Sequence, residues 1–177
     1  MNIGIDTSNS MLQNLSANSR LNQISLAKSD ISALQVNNDK EASTALGTSD
    51  AKSLAKIKEM VKDYDFTSIT QKELAVLSLE LYENELIDLQ TASHLSLGDA
   101  NFNADGTQIT DTKFNALELF THNLEGQLGW ASSAGTAESI YNAKAEVAKT
   151  NKAVGALFSF AYFSNSNATS IGVNEKA

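Results

Sequence analysis

Residues 69–97 read ITQKELAVLSLELYENELIDLQTASHLSL, and the fold class turns on this run. Thr70 and Glu73 stand at capping-box spacing, in which the threonine hydroxyl accepts the Glu73 amide proton while the carboxylate returns to the Thr70 amide. That start directs a helix into Leu74, Leu77 and Leu81, with Ala75 and Leu79 widening its apolar coverage. Tyr82-Glu83-Asn84-Glu85 breaks the rhythm and permits a turn. Leu86 and Ile87 then lead to Asp88, placed to cap a segment reaching His94 or Leu95. The expectation is an antiparallel helix pair at the centre of the chain.

Working outward, Asn38 to Ser49 reads as a polar connection. A helix follows from Ser49 or Asp50 to about Lys62, with Leu54, Ile57, Met60 and Val61 on one side and lysines on the wetter one. Tyr64 and Phe66 are expected to cover its end. Beyond the central pair, the spacing of Phe114, Leu117, Phe120 and Leu124 predicts a helix from Thr110 or Asp111 to about Glu125, with Asp111 as its cap. Gly126 and Gly129 loosen the exit. Trp130 is then a large anchor that closes the core or meets another protein, closure being preferred. A last helix should run from a Thr136 cap through Tyr162, on a seam of Ile140, Lys144, Val147, Asn151, Val154 and Phe158. Lys144 and Asn151 weaken that seam as a zipper, and the neighbouring register through Tyr141, Ala145, Ala148 and Lys152 is also imperfect. The helix ends in ALFSFAYF, residues 156–163. Phe158, Phe160, Tyr162 and Phe163 there form either a buried terminus, the preferred reading, or with Trp130 a partner-binding patch.

These elements predict an all-α protein: a small irregular helical bundle with a helical hairpin, a central Asn/Asp/Gly turn or short hairpin and a long C-terminal helix. The expected organisation is a flexible or partly helical arm over residues 1–48, a helical domain over 49–163 and a polar tail over 164–177. A length of 177 residues is enough for one substantial core, and the absence of proline favours long helices. A net charge of -8 argues against nonspecific binding to nucleic acid or anionic lipid. With no cysteine there is no disulfide, thiol nucleophile or thiolate metal ligand. Neither a cleavable signal nor a membrane-spanning run is evident, so the expected location is the cytoplasm or an exported site reached without a cleavable signal.

Residues 1–48 are poor in charge and rich in Asn and Ser, with Leu12, Leu15, Leu21, Ile24, Ile31 and Leu34 at intervals that fit interrupted amphipathic helices. This composition resembles the amino-terminal segments of some proteins exported through flagellar or type III secretion channels. The resemblance covers that segment alone, carries no motif, and implies an association with export.

Chemistry-bearing patterns are sparse. Asn101, Asn103 and Asp105, followed by Gly106, resemble the first, third and fifth positions of an EF-hand calcium loop, which would make Ca2+ the cofactor. However, the first position is Asn, Ile109 falls one place late, and Thr112 stands where a bidentate Glu would complete coordination. A turn or hairpin over Phe102 to Ile109 is therefore the preferred reading. His94 and His122 are the only histidines and lie in no HExxH motif; there is no GxSxG elbow and no phosphate-binding glycine loop. Glu80, Glu83, Glu85 and Asp88 read as a hydrated acidic rim rather than an acid/base pair. The reading that results is a non-enzymatic helical protein-interaction module associated with assembly or export, its partner another protein or a second copy. The alternative is a calcium-responsive module, or a hydrolase whose carboxylates assemble only in space.

Overall fold

The computed structural model describes residues 35–98, 102 and 104–171, with 166–171 described by backbone alone. The amphipathic spacing from Leu12 to Leu34 and the calcium-loop positions Asn101 and Asn103 lie outside these residues. In chain order the elements are α1 (Asp39–Leu46), α2 (Ala51–Val61), β1 (Ile69–Thr70), α3 (Gln71–Glu83), α4 (Leu89–Leu97), β2 (Lys113–Phe114), α5 (Ala116–Ser133) and α6 (Ala137–Ile171). The expected all-α bundle with a long C-terminal helix is what forms, and no helix among the described residues is long and apolar enough to cross a membrane.

The central hairpin follows its sequence signals closely. The Glu73 amide donates to Thr70 Oγ1 at 3.1 Å and the Thr70 amide donates to Glu73 Oε2 at 2.8 Å, completing the capping box of α3. Leu74, Leu77 and Leu81 are buried, Glu85 turns the chain at φ 57°, and Asp88 caps α4 by accepting the Thr91 amide at 2.8 Å. Asp50 caps α2 in the same way through Ser53.

Four expectations give way, each for a physical reason. The connection at Asn38 to Ser49 contains α1, capped by Asn38 on the Glu41 amide and ended by Gly47 at φ 68°. Its inner face is made largely of small residues, with Leu46 its one large apolar side chain, partly buried against the core. Ala42 is fully buried, and a Cβ at Gly155 of α6 would lie 3.5 Å from Ala45 Cβ. Such close helix contact leaves little hydrophobic signal to read.

The helix expected from Thr110 or Asp111 begins instead at Ala116, capped by Asn115 on the Glu118 amide. The residues before it pair with the loop ahead of α3: Ile69 stands opposite Phe114 and Thr70 opposite Lys113, antiparallel. The Ala116 amide donates to the Phe66 carbonyl at 3.0 Å and the Lys72 amide to the Thr110 carbonyl at 3.2 Å. Two helix–loop–helix units, α2–α3 and α4–α5, are thus clasped loop to loop. Both loops carry the same turn. Asp65 Oδ1 accepts the Thr67 amide at 2.9 Å and hydroxyl at 2.6 Å, and Asp105 Oδ1 accepts the same two groups of Thr107 at the same distances. The hairpin preferred over Phe102 to Ile109 is present, with Phe102 bridged to Gln108 and Gly106 at φ 82°.

In α6 the buried line follows the expected seam only in part, at Val154 and at the edge of the core at Val147. Ala143, Thr150, Ala153, Leu157 and Phe160 face inward while Lys144 and Asn151 are exposed, so the polar residues that spoiled the zipper pattern are on the wet side. The helix also passes the expected stop at Tyr162, with Ser164 Oγ donating to the Tyr64 carbonyl at 2.6 Å. Leu157, Phe160 and Phe163 sit in one core with Ile57, Phe66 and Leu77, and the Phe66 and Phe160 ring centroids are 6.0 Å apart.

Candidate functional site

The aromatic terminus of α6 divides between core and edge. Phe160 and Phe163 are fully buried within the chain itself, and Phe158 and Tyr162 are partly buried against the same core. Lys58 Nζ lies 5.0 Å from the Phe163 ring centre and 2.7 Å from Asp39 Oδ2, joining α1, α2 and α6 at this end. The Lys58 ammonium holds the Asp39 carboxyl below its usual range, while burial and then Asp39 push the Tyr162 hydroxyl up. The five residues read as one patch are therefore not gathered on one surface: Trp130, on α5, is 48% exposed.

Trp130 lines a cleft of about 460 Å3 between α4, α5 and α6. Its other walls include His94, Leu97, His122, Gln127 and Thr150, with Phe120 among the lining and only 3% exposed. Leu97 is 60% exposed, a second large apolar side chain left to solvent at the same opening. His94 Nε2 lies 3.1 Å from Thr150 Oγ1, which orients that imidazole against α6. His122 is open to solvent, its Nδ1 3.9 Å from Glu125. Both histidines and the single tryptophan thus line one cleft, His94 from α4 and the other two from α5. No carboxylate, ammonium or guanidinium group lines it among the described residues.

Two glycines, Gly98 and Gly126, are among the residues that line the cleft. Gly98, which ends α4, adopts φ 52° and ψ -135°, a conformation that essentially only glycine tolerates. A Cβ there would stand 2.8 Å from Gln71 Cδ. That amide is buried and donates from Nε2 to the Ser96 and Leu97 carbonyls at 2.8 and 2.6 Å, satisfying the end of α4. Gly126 and Gly129 lie inside α5, and nothing stands within 4 Å of a Cβ built on either.

A second cleft, of about 430 Å3, opens where Gly47 and Thr48 approach Tyr82, Asp88 and Lys152. Glu85 also lines it, while the other two charges there, Asp88 and Lys152, are engaged with each other. Asp88 caps α4 and pairs with Lys152 Nζ at 2.5 Å; that ammonium, together with the Thr91 amide, draws the Asp88 carboxyl down to about 2.

The remaining candidates do not converge. Among the described residues no three of His, Asp and Glu gather where they could hold a metal ion. Of the calcium-loop residues Asn101, Asn103 and Asp105, only Asp105 is described. It is exposed, and the Thr107 hydroxyl and amide hold its carboxyl below the ordinary range. The sequence signal that could have found the cleft is the Gly126–Trp130 spacing, one helical turn, which reads locally as a loosened helix end. Comparison of the chain with protein-family models, with curated proteins and with solved structures found no match.

Proposed function

We propose that the protein is a non-enzymatic helical interaction module that engages a protein partner at the Trp130 cleft. The observation carrying this reading is the exposure of two large apolar side chains, Trp130 and Leu97, at the mouth of one cleft. Tryptophan concentrates binding energy when a partner desolvates it. The acidic side chains nearest to a catalytic arrangement serve the fold instead, Asp88 as cap and ion-pair partner and Glu73 as capping-box member. The export association in this reading is carried by the composition of residues 1–48 alone.

Site-specific photocrosslinking from position 97 in the source cell tests the proposal. A discrete adduct with another protein is expected, and it should disappear when Trp130→Ala is introduced. An adduct that survives Trp130→Ala, or none at all, would sink the cleft as the docking site. A calcium titration separates the alternative: calcium heat that vanishes with Asp105→Asn would favour the calcium-responsive module.

A further inference from the structure

Helix α3 buries one face only. Leu74, Leu77, Ser78 and Leu81 point into the bundle, and the helix packs chiefly on α4 with a lighter contact to α2. On its outer side Val76, Leu79, Glu80 and Glu83 stand at positions i, i+3, i+4 and i+7, which puts them in one stripe along the helix. Val76 is 46% and Leu79 53% exposed, and Tyr82, three positions beyond Leu79, is exposed as well. Valine is a poorer helix former than Ala, Leu, Lys or Glu because its branched side chain crowds the preceding turn. On the wet face it has no burial to offset that cost. The carboxylates carry a second cost. The last turn of α3 holds no basic residue, so Glu80 and Glu83 face the negative end of the helix dipole, with Glu85 following in the turn. Neither Glu80 nor Glu83 joins an ion pair among the described residues. Lys72 is the one cation on α3, a full two turns before Glu80, and Lys56 of α2 donates to Asn84 Oδ1. The resulting negative field reaches Tyr64, whose hydroxyl is pushed up by burial and then by Glu80, Glu73 and Asp63.

We infer that the outer face of α3 is a docking surface for a basic amphipathic helix of a protein partner, which lays apolar side chains on Val76 and Leu79 and brings Lys or Arg to Glu80 and Glu83. Both costs are returned in that complex. The exposed apolar pair is desolvated by residues at matching helical spacing, and the carboxylates at the negative end of the dipole receive the cations that the chain itself does not supply there. The surface is separate from the Trp130 cleft, whose described lining comes from α4, α5 and α6, so the two stand or fall apart.

The test uses the full chain and a phage-displayed library of helix-forming peptides. Selected binders are expected to carry Lys or Arg beside apolar residues at helical spacing, and to weaken as salt is raised. Their affinity should fall about tenfold or more in Val76→Ser/Leu79→Ser and likewise in Glu80→Lys/Glu83→Lys, while Trp130→Ala leaves it unchanged. All four positions are exposed, so the first double variant should melt close to wild type. The second should melt slightly higher, since cations suit a helix C-terminus, which separates loss of binding from loss of fold. A charge exchange is decisive: a binder whose basic residues are changed to Glu should regain affinity for Glu80→Lys/Glu83→Lys alone, which a merely structural role for the carboxylates would not produce. Binders without basic residues, binders that tolerate both double variants, or selection of none overturn the inference. Binding lost in Trp130→Ala overturns it in favour of the cleft and leaves the interaction reading in place. A synthetic peptide of residues 7–29, which holds no acidic residue and carries Arg20 and Lys28, is the intramolecular control. If that peptide alone binds the face, its occupant is the chain's own segment and an external partner is overturned.

Discussion

Gly98→Ala should destabilise the protein far more than an exposed loop substitution, because two independent costs meet at that position. The first is backbone. Gly98 holds φ 52° and ψ -135°, and an L-residue in such a region carries about 1–3 kcal/mol of strain. The second is the Gln71 amide, which a new methyl would approach to 2.8 Å. A flexible side-chain end would ordinarily swing away at little cost. This one is 5% exposed and fixed by two hydrogen bonds to the last carbonyls of α4, so displacing it leaves buried polar groups unmatched at about 1–3 kcal/mol. The sum, about 2–6 kcal/mol, is a large share of the 5–15 kcal/mol that domains typically possess. Urea unfolding followed by far-ultraviolet circular dichroism measures it. A double-mutant cycle with Gln71→Ala divides it, since in that background Gly98→Ala should cost only its backbone part and leave a coupling of about 1–2 kcal/mol. A cost below about 1 kcal/mol would refute the argument for both parts. Equal costs in the two backgrounds would refute the role given to Gln71.

The Asp88–Lys152 pair gives a pH-dependent prediction. The Asp88 carboxyl is lowered from 3.8 to about 2 in the folded protein, so its stabilisation is present above the unfolded value and is lost as pH falls through about 2. Both side chains are roughly half exposed, at 47% and 48%, which limits the pair to under about 1 kcal/mol. Lys152→Met should therefore lower the urea midpoint slightly at pH 5, and the difference from wild type should vanish towards pH 2. A difference that persists at pH 2 would assign the effect to packing of the lysine stem. Phe160→Ala removes a fully buried ring from the centre of the core and should cost about 3–5 kcal/mol in the same assay; a cost under about 1 kcal/mol would show that this part of α6 is not core. At Gly155 the substitution series should change sign. Alanine, whose methyl would meet Ala45 at ordinary contact distance, should be neutral or raise the melting temperature, whereas leucine should push α1 away and expose Ala42. Hydrogen exchange of the α1 amides distinguishes the two, and equal protection in both variants would show that Gly155 does not set the spacing.

The parts of the fold legible in the sequence are those whose signals are local. Thr70 with Glu73, Asp88 with Thr91 and Asp50 with Ser53 each satisfy a helix terminus within a few residues, so their chemistry can be read without knowing what packs nearby. The missed parts are set by distant partners. Whether Lys113–Phe114 extends or coils depends on Ile69–Thr70, over forty residues earlier, and the apolar spacing of Phe114 with Leu117 imitates a helix. The short helix α1 is hard to read because its contact with α6 is made by Ala45 against Gly155 and by the Ala42 carbonyl on Ser159, residues too small to mark a face. The cleft was hidden for a related reason. Its walls come from three helices, and Gly126 and Gly129, which looked like an exit from α5, lie within it. Repetition between the loops was also obscured. Asp65-Phe66-Thr67 and Asp105-Gly106-Thr107 differ at the middle residue, and only the matched bonding shows their kinship.

The dependence of earlier segments on α6 has a consequence for how the molecule comes into being. Its buried residues Leu157, Phe160 and Phe163 are the common surface on which much earlier segments close: Ser159 Oγ reaches the Ala42 carbonyl, 117 positions back, and Ser164 that of Tyr64, 100 back. While the chain emerges from the ribosome, the α3–α4 hairpin can form from local caps and α2 can meet α3, but α1 lacks the surface that buries Ala42 until α6 has been made. Closure of this core therefore waits on the synthesis of α6, and contacts so distant in sequence are expected to close slowly. Until that moment Leu157, Phe160 and Phe163 are missing from the core that Ile57 and Phe66 share with them.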